Sequence, residues 1–185
     1  MNRLARRATM LAALAALVPA LAVQAQGGST TSLFKVGYMD IGPTIGLGGI
    51  GDAGIAFGGR FERGIKALPD LANGVLGIEL SADIWSYNNP YTGGTYDFRY
   101  TNIGVTANYH FEVKSSPKFD PFFGLGLGNS SVSTDAIGSY SSGLYFIGRA
   151  GVRYFAKPRL ALYADAGAGA STLNVGVTFG IGSGK

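Results

Sequence analysis

The chain has 185 residues, of which 46% are hydrophobic and 14% are charged, and this composition excludes a disordered chain. It has no cysteine and one histidine, His110, which excludes disulfides, thiolate metal centres and multi-histidine sites. The 30 glycines follow no collagen period, and together with aromatic and β-branched residues they indicate many short strands.

The first 25 residues predict a cleaved secretory signal peptide. Three arginines within the first seven residues precede an apolar run over 10–23, and small residues around Ala25 form a cleavage site. The run is shorter than the roughly 20 residues that a transmembrane helix requires. Its removal lowers the formal charge from +4 to +1, which takes away the main support for nucleic-acid binding. We expect cleavage after Ala25 and a mature domain over 26–185.

From residue 34 onward, apolar residues alternate with a period of two, which predicts an all-β domain. Turn-forming residues divide it into eight strands, joined by connections short enough for an antiparallel meander. The predicted strands are 34–47, 54–65, 74–87, 95–113, 118–133, 142–156, 159–168 and 171–182.

The composition of the two strand faces distinguishes a membrane barrel from a soluble one. In the third strand, apolar residues from Leu76 to Ile84 alternate with Gly77, Glu79, Ser81 and Asp83. This polar face has too much glycine and too little lysine for a solvated surface, and lysine occurs chiefly beside turns. A closed barrel with its apolar face towards lipid satisfies all backbone hydrogen bonds. We therefore predict an eight-stranded antiparallel up-and-down transmembrane β-barrel.

The inward polar positions predict a charge network in the lumen. A barrel of eight strands is just wide enough to be filled by its own side chains, so the inward acids and bases are expected to pair. The predicted network comprises Arg60, Glu62, Glu79, Asp83, His110, Glu112, Asp120, Arg149, Arg153 and Asp165. The same groups could also form a proton or ion path, which is the less favoured interpretation.

Aromatic residues predict two girdles at the lipid interfaces. With an even number of strands, both chain ends lie on one side, which we assign to the periplasm. The outer girdle is predicted to hold Tyr87, Tyr91, Tyr96, Phe98 and Tyr100, and the inner girdle Phe34, Phe61, Tyr109, Phe111, Phe119, Tyr154, Phe155 and Phe179. The apolar phase changes near Thr101, which predicts a β-bulge there.

The alternating strands, the run Pro121-Phe122-Phe123-Gly124-Leu125-Gly126-Leu127-Gly128 and the closing strand resemble small outer-membrane barrels of the opacity-protein and OmpA-like superfamily. The closing residues 174–181 are similar to the terminal β-signal of that superfamily, with Asn174, Gly176, Phe179 and Ile181 at its pattern positions. The resemblance implies recognition by the barrel assembly machinery. It also implies residence in the bacterial outer membrane, with membrane lipid as a partner.

Two classes of function remain open. The first is a non-enzymatic envelope protein with a structural or surface-interaction role, whose candidate loop residues are Asn89, Tyr91, Asp135 and Tyr140 and whose further partner would be an envelope protein. The second is a small channel for ions or hydrophobic solutes, or a lipid-modifying enzyme. His110 and Glu112 share one strand face as an acid/base pair would, but inward polar pairing explains them as well. The sequence indicates no cofactor, no metal site, no catalytic residue and no nucleic-acid partner.

Overall fold

The computed structural model describes residues 32–49, 54–91, 93–134 and 142–182, which form a closed β-barrel. The predicted signal peptide, Asp135 and Tyr140 lie outside these residues. The strands are β1 Met39–Gly49, β2 Ile55–Leu68, β3 Gly74–Tyr91, β4 Gly94–His110, β5 Phe119–Thr134, β6 Gly143–Lys157, β7 Leu160–Ala168 and β8 Ser171–Gly182.

The strands pair antiparallel in chain order, and β1 closes the barrel against β8. At this seam Thr44 faces Gly176 and Ile45 faces Val175. The predicted eight-stranded up-and-down barrel is confirmed. In the part of the chain that the structure describes, no helix has the length and apolarity to span a membrane.

The barrel is apolar outside and polar inside. Phe57 is 67% exposed, Phe146 82% and Leu144 79%, and these outward side chains alternate with buried inward ones. The buried inward residues include Asp40, Glu62, Glu79, Asn108 and Asp120. Such a surface is stable only against lipid, because a water-facing barrel would bury its apolar face instead.

The bulge predicted near Thr101 is wrong. The register of β3 and β4 runs without interruption from Val75 opposite His110 to Tyr91 opposite Gly94. Outward residues are apolar at Ile103 and Val105, but polar from Thr101 towards the hairpin tip. The strands therefore keep their register while the medium outside them changes from lipid to water.

The predicted outer aromatic girdle is wrong for three of its residues. Tyr87, Phe98 and Tyr100 lie on the inward face, where the Tyr87 ring stacks on Phe98 with centroids 5.0 Å apart and on Tyr100 at 6.1 Å. Tyr87 and Tyr100 pack against the buried Trp85 at this end of the barrel. These rings cover the end of the lumen opposite the chain termini, which is the extracellular end in the assigned orientation, instead of contacting lipid.

The first predicted strand begins too early, because β1 starts at Met39. The preceding residues turn back across the periplasmic end. The Gly37 N–H donates to the Gly64 carbonyl over 2.8 Å, and the Gly64 N–H donates to the Tyr38 carbonyl over 3.0 Å. Gly37 has a φ of 83°, which favours glycine. This turn places Phe34 inside the barrel, where it packs in one cluster with Tyr38 and Phe155, so Phe34 and Phe155 are not girdle residues.

Candidate functional site

The periplasmic half of the lumen is organised around Arg153. Its Nη1 donates to Asp40 Oδ2 over 2.8 Å, and its Nη2 donates to Glu62 Oε2. The guanidinium also lies over the Phe34 ring, 5.0 Å from the centroid. One buried cation is thus held by two carboxylates and one aromatic face, in the charge-assisted geometry that a buried ion pair needs.

His110 is enclosed by two further carboxylate contacts. Its Nε2 lies 2.8 Å from Glu62 Oε1, and its Nδ1 lies 3.0 Å from both oxygens of Asp120. Only a protonated imidazolium can donate from both ring nitrogens, so this environment favours the charged form. The Phe34 ring stacks on the imidazole and seals it from the periplasmic side.

Tyr38 lies beside this cluster, just before β1. Burial raises the pKa of its hydroxyl to about 12, and the neighbouring Asp40 carboxylate acts in the same direction. Within the described residues the hydroxyl has no hydrogen-bond partner.

The middle of the lumen holds a second ion-pair group around Arg60. Its Nη1 donates to Asp83 Oδ1 over 2.9 Å, and its Nη2 donates to Asn174 Oδ1 over 3.2 Å. Asn108 joins the two groups, because its Nδ2 lies 3.0 Å from Glu62 and 3.4 Å from Glu79. The polar interior is therefore one connected network.

The third arginine is held less tightly. Arg149 lies 3.6 Å from Asp165 and 4.0 Å from Glu79, and none of its guanidinium nitrogens has a hydrogen-bond partner within the described residues. The side-chain amide of Asn102 and the indole nitrogen of Trp85 are buried and unpartnered as well. Arg149 is therefore the lumenal arginine with the weakest set of partners.

The structure corrects the position of Glu112. β4 ends at His110, so Glu112 lies in the connection to β5, where it is half-buried beside a groove of 400 Å³ that Lys35 also lines. The other nine residues of the predicted network are buried in the lumen. His110 and Glu112 therefore do not form a pair on one strand face.

Several lumenal residues were left out of the predicted charge network. Asp40 and Asn108 sit at inward positions of regular alternation, so the pattern itself could have indicated them. Phe122 and Tyr163 are also inward, stacked with centroids 5.7 Å apart. Tyr163 donates its hydroxyl to Asp165. Phe34 had no such signal, because it precedes the first strand.

The predicted assembly-signal residues lie on both faces of β8. Asn174 points inward and donates from Nδ2 to Asp165 Oδ1 over 2.7 Å. Gly176 is paired with Thr44 at the seam, while Phe179 and Ile181 point outward, exposed by 49% and 56%. Asn174 thus contacts the lumenal network, Gly176 lies at the seam that closes the barrel, and Phe179 and Ile181 face the lipid.

The predicted surface residues Asn89 and Tyr91 lie at the tip of the β3–β4 hairpin. β3 continues to Tyr91, well beyond its last pair with β2 at Ile84. The Tyr91 ring stacks on Tyr96 with centroids 4.2 Å apart, and Tyr91 is 47% exposed. Among the described residues, no group of three or more His, Asp or Glu side chains is placed to hold a metal ion.

Residues 8–174 match the family described as outer membrane protein beta-barrel domain, and the chain belongs to this family. It is an integral β-barrel protein of the bacterial outer membrane. No curated protein has a significantly matching sequence.

The chain is similar to solved structures of outer-membrane proteins. The outer membrane protein OprG from Pseudomonas aeruginosa has a TM-score of 0.53 and 16% identity, over 80% of this chain and 94% of that chain. Neisserial surface protein A has a TM-score of 0.47 and 22% identity, over 77% and 94% of the two chains. The attachment invasion locus protein Ail of Yersinia pestis, in complex with the heparin analogue sucrose octasulfate, has a TM-score of 0.45 and 16% identity, over 77% and 93%.

Proposed function

We propose that the protein is a non-enzymatic component of the outer membrane that supports the envelope and presents the β3–β4 hairpin at the cell surface. The observation that carries this proposal is the closed lumen. Arg153 and His110 fill its periplasmic half with ion pairs, and Phe34 covers them. Trp85 with its neighbouring tyrosines covers the other end.

The environment of His110 argues against a hydrolytic enzyme. A general base needs a free nitrogen in reach of a nucleophile. Both ring nitrogens face carboxylates, and the side chain is only 2% exposed beneath Phe34. The imidazole is better suited to holding Glu62 and Asp120 together than to accepting a proton from a substrate.

The second candidate is a narrow channel, and the weakly held Arg149 favours it. Arg149 and Asn102 leave buried polar atoms unpartnered, as groups do when they contact water or passing ions. Conduction would still require the contacts at Arg153 to open, since they span the lumen from β6 to β1 and β2.

Single-channel recording in planar bilayers tests the closed barrel. The purified protein should give no steady conductance, while Arg153→Ala should raise the conductance because it removes the cation that bridges the lumen from β6 to β1 and β2. Arg99→Ala, which changes an exposed charge outside the lumen, is the matched control. If the unmodified protein showed steady conductance equal to that of Arg153→Ala, the result would contradict the closed barrel and support the channel function.

The surface role is tested by exposing the hairpin tip. An epitope tag inserted between Tyr91 and Gly94 should be detected on intact cells, since this tip lies beyond the paired barrel wall. A tag inserted in the β4–β5 connection should be detected only after lysis. The reverse labelling would rule out presentation of this hairpin to an envelope or extracellular partner.

We further infer that the barrel assembly machinery recognises the end of β8. Phe179 points outward near the end of β8, so its removal leaves the lumenal network intact. Phe179→Ala should lower the amount of assembled protein in the outer membrane several-fold, whereas Phe57→Ala, which removes another outward phenylalanine on β2, should not. Equal levels of the two variants would contradict recognition at this site.

A further inference from the structure

The charges of the described residues are distributed very unevenly along the barrel axis. Among the described residues, the lumen holds six acids and three arginines, all buried. The described part of the rim at the end of both termini, defined as the periplasmic rim, holds seven basic residues and two acidic ones: Lys35, Arg63, Lys66, Lys114, Lys118, Lys157 and Arg159, with Asp70 and Glu112. The described residues of the opposite rim hold only Asp97 and Arg99.

The basic residues surround the rim instead of forming one patch. Arg63 and Lys66 lie at the end of β2, opposite the starts of β1 and β3. Lys118 lies in the β4–β5 connection, and Lys157 and Arg159 lie at the β6–β7 turn. Because these connections are spread around a closed barrel, positive charge faces every direction in the membrane plane.

The periplasmic rim also lies at the edge of the outward apolar surface of the barrel. Arg63 follows Phe57 and Phe61 on the outward face of β2, and it is exposed. Tyr154 and Phe179, each about half exposed, lie beside the rim on β6 and β8. Aromatic and basic side chains at this depth are typical of the headgroup region.

Three of the basic side chains of the rim make no ion pair within the barrel. Arg63, Lys118 and Lys157 are exposed, and within the described residues they have no salt-bridge partner. An unbalanced ring of this kind attracts anions, and its position beside lipid-facing aromatics makes the nearest anion a phospholipid phosphate.

We propose that the periplasmic rim binds anionic phospholipid headgroups, such as those of phosphatidylglycerol, in the periplasmic leaflet. The occupant is lipid and not a periplasmic polymer, because the charges encircle the barrel at the depth where the aromatic side chains end. This binding would fix the depth of the barrel in the membrane.

The test is urea unfolding of the full chain in vesicles of phosphatidylcholine, with and without phosphatidylglycerol. The lipid with negative charge should stabilise the unmodified barrel, and 1 M salt should abolish the gain. The triple variant Lys118→Gln, Lys157→Gln, Arg159→Gln should lose most of it. Each basic residue at an anionic surface raises the folding equilibrium constant by about fivefold, so the loss of three such residues should lower it by a factor on the order of a hundred.

Two control variants keep the result interpretable. Arg99→Gln at the opposite rim should retain the gain, and the charge-conserving Lys118→Arg, Lys157→Arg, Arg159→Lys should retain it too. An equal gain for the unmodified protein and the triple glutamine variant would overturn the proposal. A second result would also overturn it. If the protein cosedimented with peptidoglycan sacculi in a salt-sensitive way, only the triple glutamine variant lost this binding, and the stabilisation in vesicles were unchanged, the rim would bind an acidic polymer and not lipid.

Discussion

The Phe34 ring stacks on the His110 imidazole, with centroids 3.7 Å apart and an interplanar angle of 18°. Phe34 belongs to the segment before β1, while His110 is the last residue of β4. The contact therefore joins the beginning of the described chain to the far wall of the barrel. It covers the ion pairs that His110 makes with Glu62 and Asp120.

Replacing Phe34 with alanine should destabilise the barrel by about 3–5 kcal/mol, the usual cost of removing a buried phenylalanine. The change also admits water to the His110 and Arg153 ion pairs. Urea unfolding in detergent micelles measures the effect. Val36→Ala, at an exposed position of the same segment, is the control and should shift the midpoint little. Equal midpoints for the two variants would show that Phe34 does not seal the lumen.

Arg153→Ala should cost more stability than Arg149→Ala. Arg153 donates to Asp40 and Glu62, so its loss leaves buried carboxylates uncompensated, at about 3–5 kcal/mol. Arg149 makes only the longer ion pairs described above. Thermal melting followed by the boiling-dependent gel shift compares the two. A larger loss for Arg149→Ala would contradict a network centred on Arg153.

The sequence was sufficient to predict the barrel, because lipid on one side and a narrow lumen on the other impose opposite polarities on alternate residues. The same alternation gave wrong predictions for the ends of β3 and β4 that extend beyond the membrane. At Thr101, Arg99 and Asp97 the outward medium is water, so the polar residues move to the outward face. The aromatic residues Phe98 and Tyr100 then occupy the inward face. The period of apolar residues shows only which face of a strand is polar and gives no information on the register. A change of medium along β4 therefore produced the same sequence pattern as a β-bulge, although the strand is unbroken.

The lumenal site was predictable only as far as the strands extend. Arg60, Glu79 and Asp165 follow from alternation, but Glu112 was assigned inward because β4 was taken to continue past His110. Phe34 could not be found this way, since its position depends on the left-handed turn at Gly37 and not on a strand period. Which carboxylate pairs with which arginine depends on barrel shear, which one sequence does not reveal.

Tyr38→Phe should stabilise the protein by about 1 kcal/mol at neutral pH, because it removes a buried hydroxyl that has no partner. The pKa of this hydroxyl is about 12 in the folded barrel, above its ordinary value of 10.0. Between pH 10 and 12 the hydroxyl ionises in the unfolded chain but stays neutral in the folded barrel, so the folded barrel loses stability as the pH rises through this interval. The wild type should lose more stability than Tyr38→Phe across this interval in urea titrations. Parallel losses would indicate that Tyr38 is solvated.

Gly176→Ala should hinder closure of the barrel at the seam between β1 and β8. A Cβ atom at Gly176 would meet the carbonyl of Pro43 and the backbone of Thr44, and neither can move without disturbing the pairing. Overpacking of this kind costs about 1–3 kcal/mol. Gly148→Ala is the matched control, since a Cβ there meets only a Leu125 methyl group at 3.7 Å. Refolding into vesicles, followed by the heat-dependent gel shift, should give less folded Gly176→Ala than Gly148→Ala. Equal folded fractions would mean that the seam tolerates a side chain, and that any loss of assembly in cells arises from recognition of β8.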